Sequence, residues 1–166
     1  MRTRLIVVVG SGSELSKENA ELAERLGAAL VRANFGVVTN GRGGVAEAVS
    51  RGATRKRGKS THPPIVGILA GADASAGNAY LDVAIPTGLG RSSHAVLAMA
   101  GEALICLGGA TGALAEVALA RKSNRPVLAL APSGGTAALL AKVMDSVESV
   151  DSIEAVIDRL GELLPR

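Results

Sequence analysis

Four times along this chain an apolar run ends in a turn dense with glycine, and a helix-forming segment follows. The turns read Gly10-Ser-Gly-Ser, Asn40-Gly-Arg-Gly-Gly, Pro86-Thr-Gly-Leu-Gly and Gly108-Gly-Ala-Thr-Gly. Strand, glycine turn and helix in repeated order dictate a parallel sheet with right-handed crossovers. In such a sheet the turns that follow the strands share one rim, where the strand order reverses and ligands bind. Glycine lets the backbone approach a ligand closely, and the start of a helix offers free N–H groups and the positive end of the helix dipole. One turn of this kind also suits tight packing of a helix on a strand; four together point to a phosphate site.

The rest of the chain keeps the same alternation. Strands are predicted at Arg4–Gly10, Val37–Thr39, Ile65–Leu69, Leu81–Ile85, Ala103–Leu107, Val127–Ala131 and near Val147–Val150. Helices are predicted over Glu18–Asn34, capped by Ser16, then over Val45–Arg55, His94–Gly101 and Ala113–Lys122, in a short segment after PSGG, and over Ser152–Leu164. Ala70–Tyr80 reads as a small flexible loop. The expected fold class is α/β: a Rossmann-like three-layer sandwich over residues 1–166, with a mostly parallel sheet of about six or seven strands and helices on both faces.

Composition agrees. The length of 166 residues suits one domain that needs no metal or disulfide to fold. Hydrophobic residues make up 48% of the chain, yet Phe35 and Tyr80 are its only aromatics, so Val, Leu, Ile and Ala must fill the core, as in parallel sheets covered on both faces. Cys106 is the single cysteine, which fits a reducing, cytoplasmic setting. The apolar run Leu5–Val9 is too short for the core of a signal peptide, and Ala103–Ala120 is broken by GGATG and carries Glu116, which argues against a membrane span. Much of the net charge of +3 sits in Arg51–Lys59, which reads as a solvated helix end and loop rather than an electrostatic lure for phosphates or nucleic acid. Without aromatic residues to stack on bases, single-stranded nucleic acid is disfavoured as a partner.

Familiar nucleotide motifs are absent. The first turn reads GSGSEL rather than G-x-G-x-x-G, the second strand ends in Thr39-Asn40 rather than an acid, and there is no G-x-x-x-x-G-K-[ST]. These gaps argue against a conventional dehydrogenase or P-loop NTPase.

The candidate ligand-binding positions are the turn residues Gly10, Ser11, Gly12, Gly41, Gly43, Gly44, Thr87, Gly88, Gly108, Gly109, Ala110, Thr111 and Gly112, together with Glu116. Glu116 is the only charged residue between Ala103 and Ala120 and lies about one turn into a helix, so it points back toward that helix's start. It either interacts with the helix dipole or a subunit contact, or accepts hydrogen bonds from a ligand. Ser13 is a further candidate hydroxyl. His62 and His94 lack metal-ligand spacing, so no metal is expected, and Cys106 reads as a core thiol.

The segments TNGRGGVAEAVSRGA (39–53), DVAIPTGLG (82–90) and LGGATGALAEVALA (107–120) resemble a Rossmann-like family. That family includes molybdenum cofactor carrier proteins and LOG-type phosphoribohydrolases, and its members are often labelled lysine decarboxylase-like. The short length and DVAIPTGLG look closer to the carrier branch. The resemblance implies a homodimer or homotetramer that binds a phosphorylated, nucleotide-like ligand, a molybdopterin-type cofactor among the candidates, with no cofactor required. The alternative it implies is hydrolysis of the N-glycosidic bond of nucleoside 5′-monophosphates, with Glu116 catalytic. Two positions depart from the family pattern: Ala113 stands where threonine is expected, and Ser93 where the hydrolases carry an arginine, with Arg91 two residues earlier as a candidate cation. No lysine lies near the glycine turns to hold pyridoxal phosphate, which argues against amino-acid decarboxylation.

Overall fold

A computed structural model describes residues 2–55 and 62–165. Thirteen elements alternate along it: β1 (Arg4–Gly10), α1 (Lys17–Arg32), β2 (Phe35–Thr39), α2 (Val45–Arg55), β3 (Ile65–Leu69), β4 (Val83–Pro86), α3 (Ser93–Met99), β5 (Ala103–Leu107), α4 (Thr111–Lys122), β6 (Val127–Leu130), α5 (Gly135–Val143), β7 (Glu148–Val150) and α6 (Ile153–Leu163). All seven strands are parallel, in the order β4-β3-β2-β1-β5-β6-β7. The order reverses between β1 and β5, whose register pairs Gly10 with Leu107. The first and last glycine turns therefore leave the sheet side by side, at its switch point.

Each sheet face is sealed by its own apolar cluster. Ile6, Val8, Val37, Ile105 and Leu107 pack on Leu26 and Leu30 of α1, Val49 of α2 and Val156 and Leu160 of α6. Val7, Val9, Val38, Leu104 and Cys106 face the other way, onto Leu97 of α3, Val117 of α4 and Leu140 of α5. Both faces of the central strands are buried, which is why those strands read as unbroken apolar runs.

Element boundaries differ locally from the sequence reading. α4 begins at Thr111, before Ala113, and α3 spans Ser93–Met99 where His94–Gly101 was expected. The fourth strand is Val83–Pro86 and not Leu81–Ile85, because Leu81 is drawn into the core on the α1–α2 side. Ala70–Tyr80 is more constrained than a flexible loop. Asp73 caps a 3-10 turn at Ala74–Ala76, and Asn78 ties the loop to the second glycine turn through Gly41 O (2.8 Å) and Arg42 O (3.0 Å).

Of the basic run, Arg51 and Arg55 both pair with Glu24, at 2.8 and 2.5 Å. The remainder, Lys56–Lys59, lies outside the described residues. Among the described residues, no helix is long and apolar enough to cross a membrane.

Candidate functional site

The GGATG turn is shaped from behind. Thr136 and Ala137, at the start of α5, donate their N–H groups to Gly109 O (3.1 Å) and Gly108 O (3.0 Å), and the Thr136 hydroxyl donates to Ala110 O (2.9 Å). Three successive carbonyls thus point at α5. The peptide bonds are trans, so the N–H groups of Gly109, Ala110 and Thr111 are turned the opposite way. Ala110 provides no side-chain cap for α4, and Leu114 is the first residue of the helix to bond back, to Ala110 O at 3.1 Å. Among the described residues nothing accepts from the N–H groups of Gly109 to Ala113. A run of free donors at the positive end of a twelve-residue helix forms a cradle that can receive an anion.

Gly109 holds this geometry with φ +97°, and a Cβ there would sit 2.6 Å from the Ala113 side chain.

The remaining candidate glycines fall into two groups. Gly10 and Gly44 serve close packing: an added Cβ would come within 2.2 Å of Leu107 O or 2.1 Å of Ser11 O. That contact and the Val45 N–H to Ser11 O bond (2.9 Å) clamp the first turn onto the second. Gly41 packs on Leu69 and Gly67 in the same manner. Gly12, by contrast, borders open space, and at Gly43, Gly88 and Gly108 a built Cβ would meet no atom closer than 3.5 Å.

On the α3–α4 side of the sheet the rim opens into a cleft of about 380 Å³, lined by Asn40 and Arg42 from the second turn, Gly90 and Arg91 from the third, Ile68, His94 and Glu116. Glu116 is 4% exposed, and its Oε1 lies 2.7 Å from His94 Nδ1. Burial pushes the Glu116 carboxyl above the usual carboxylate range, and the bond to His94 pulls the other way. His94 in turn lies against the start of α4, its Cε1 being 3.6 Å from where a Gly112 Cβ would stand. The cleft therefore adjoins the anion cradle. Glu116 finds its partner on the neighbouring helix, which a reading confined to its own helix missed. The sequence signals neither His94 nor Arg42: the spacing of His94 speaks only against a metal, and Arg42 is hidden among the glycines of its turn.

Other candidates have their polar atoms engaged inside the protein. The Thr87 hydroxyl donates to Leu69 O (2.7 Å), and the Ser11 and Ser13 hydroxyls bond each other (2.8 Å). Ser93, at the position where an arginine was sought, donates to Gly90 O (2.7 Å) and shapes the turn that carries Arg91. Thr111 is exposed at the first position of α4. Cys106 is fully buried in β5, and burial, with the nearby Glu116 charge, pushes its thiol up to about 12. Among the described residues no cluster of three or more His, Cys, Asp or Glu side chains could hold a metal ion.

Known proteins share this arrangement. The structure called TM1055 is 27% identical and superposes with a TM-score of 0.87, covering 96% of this chain and 99% of its own. The molybdenum cofactor binding protein of Rippkaea orientalis is 27% identical with a TM-score of 0.85, covering 99% of each chain. The molybdenum cofactor carrier protein of Chlamydomonas reinhardtii is 26% identical with a TM-score of 0.82, covering 99% of this chain and 100% of its own. The family model of the SLOG cluster4 family matches residues 3–158, nearly the whole described chain and every turn of the rim, and the protein belongs to that family.

Proposed function

We propose that this protein binds or carries a small phosphorylated, nucleotide-like ligand, a molybdopterin-type cofactor being the foremost candidate. The observation that carries the reading is the orientation of the GGATG turn: α5 takes the carbonyls of Gly108, Gly109 and Ala110, and the N–H groups opposite are left for an oxyanion. Similarity to a molybdenum cofactor binding protein and a molybdenum cofactor carrier supports the ligand class. The setting is cytoplasmic, and the protein works as a homodimer or homotetramer. Its contact surface is the outer side of α3, α4 and α5, where Met99, Leu114, Leu139 and Val143 are exposed. Calorimetric titration with AMP and with molybdopterin, together with native mass spectrometry of the purified protein, tests the reading. Absence of any binding to the wild type, with no retained molecule, overturns it.

A second reading, N-glycosidic hydrolysis of nucleoside monophosphates, is favoured by one observation: a buried carboxylate, Glu116, lines the cleft that adjoins the phosphate cradle. A carboxylate so placed can stabilise the positive charge that develops on the ribose as the base departs. Release of ribose 5-phosphate from AMP by the wild type, lost in Glu116→Ala, establishes the hydrolase. Binding without release establishes the carrier.

A further inference from the structure

Five described arginines, Arg2, Arg4, Arg51, Arg55 and Arg159, are paired with carboxylates. Arg51 and Arg55 share Glu24, Arg2 pairs with Glu102, and Arg159 lies between Glu148 and Glu162. Arg42 and Arg91 are set apart by where they lie. They come from different turns, line the same cleft, and neither guanidinium has a partner among the described residues. The only carboxylate lining that cleft is Glu116, whose Oε1 is held by His94. Asn40 adds a further donor: its Oδ1 accepts the Arg42 N–H (3.1 Å), so its amide nitrogen remains free. With Nδ1 engaged by Glu116, the other edge of the His94 ring is left for the cleft. Two unpaired positive charges and an amide donor lining one space of ligand size suit an anion.

The cleft's position gives this meaning. It adjoins the start of α4 through His94, and the cradle of free N–H groups there is already suited to one phosphate. We infer that the ligand carries a second anionic group besides its phosphate, and that Arg42 and Arg91 hold this second group together. The inference rests on the proposed phosphate site at Gly109–Gly112 and narrows its ligands to small molecules with two separate anionic groups. Guanidinium groups suit such a role because their donors match oxyanions in pairs.

The test compares one-anion and two-anion probes by titration calorimetry at low and at physiological salt. The probes are AMP, ADP and adenosine 3′,5′-bisphosphate, and the proteins are wild type, Arg42→Gln/Arg91→Gln and Gly109→Val. One of the two bisphosphorylated probes is expected to bind wild type about tenfold or more tightly than AMP, an advantage that shrinks as salt rises. The double variant should lose this advantage while keeping AMP affinity within about twofold, and both arginines are exposed, so its melting temperature should match wild type. Gly109→Val should weaken all three probes. If AMP binds but neither bisphosphorylated probe gains over it, or if the gain survives in the double variant, the second anionic subsite is overturned and the phosphate site stands. If no probe binds wild type, both readings fall together.

Discussion

His94 on α3 and Glu116 on α4 meet at 2.7 Å across two packed helices, and the carboxylate is 4% exposed where the imidazole is half-buried. The contact gives a buried acid its needed hydrogen bond and fixes which ring edge His94 leaves for the cleft. His94→Ala should therefore cost about 1–3 kcal/mol at neutral pH by stranding Glu116. Urea denaturation measures it, and a loss under about 0.5 kcal/mol, the scale of an inconsequential surface change, would show that the pair is not needed.

The same pair sets a pH dependence. Burial raises the Glu116 carboxyl above its ordinary 4.5, so the folded protein holds that proton more tightly than the unfolded chain does. Its contribution is fully present below the unfolded value and is lost as pH rises through the higher folded value. Between pH 4 and 7 the wild type should accordingly lose stability relative to Glu116→Gln. Denaturation midpoints for the two proteins across that window check it; parallel curves would mean that Glu116 titrates normally.

Thr136 shapes the cradle without bordering it. Thr136→Val removes the hydroxyl donated to Ala110 O and keeps the side-chain volume. The expected outcome is a loss of about 0.5–1.5 kcal/mol in stability and several-fold weaker AMP binding. Titration and thermal melting run in parallel separate the two effects. Unchanged AMP affinity would mean that the turn keeps its orientation through the Gly108 and Gly109 bonds alone.

Cys106 should be inert in the folded protein. Its side chain is fully buried and its thiol is pushed up to about 12. Reaction with a thiol reagent at pH 8 should be undetectable in native protein and complete in denaturant. Fast native labelling would reveal opening of the sheet at β5.

Self-association makes a separate prediction. Leu139 and Val143 are 54% and 66% exposed on α5, and Met99 and Leu114 add exposed apolar surface on α3 and α4. Light scattering of the wild type at micromolar concentration should give a dimer or tetramer, and Leu139→Glu/Val143→Glu should lower its mass. A wild-type monomer would remove the assembly from the proposal.

The alternation of apolar runs and glycine turns was enough to read the seven strands, their order of appearance and the rim that carries the turns. Strands β3 and β5 fall where the sequence placed them, because short apolar runs bounded by Gly or Pro admit few alternatives. The pairing of His94 with Glu116 was not legible. It depends on α3 and α4 lying side by side, and a periodicity confined to one helix carries no such information. The segments of α3 and α4 are apolar on nearly every side. In the structure one side of each packs on the sheet, and Met99 and Leu114 remain outside. Glycine in the turns was likewise ambiguous: the sequence could not say that Gly10 and Gly44 fill close contacts whereas Gly12 borders open space.

The residues that turn the Gly108–Ala110 carbonyls away from solvent lie more than twenty positions downstream, beyond β6. A fragment ending at Leu130 would retain all four glycine turns and every strand that borders the switch point. It would nevertheless have nothing to orient those peptides, and a search for phosphate sites by motif would pass it as intact.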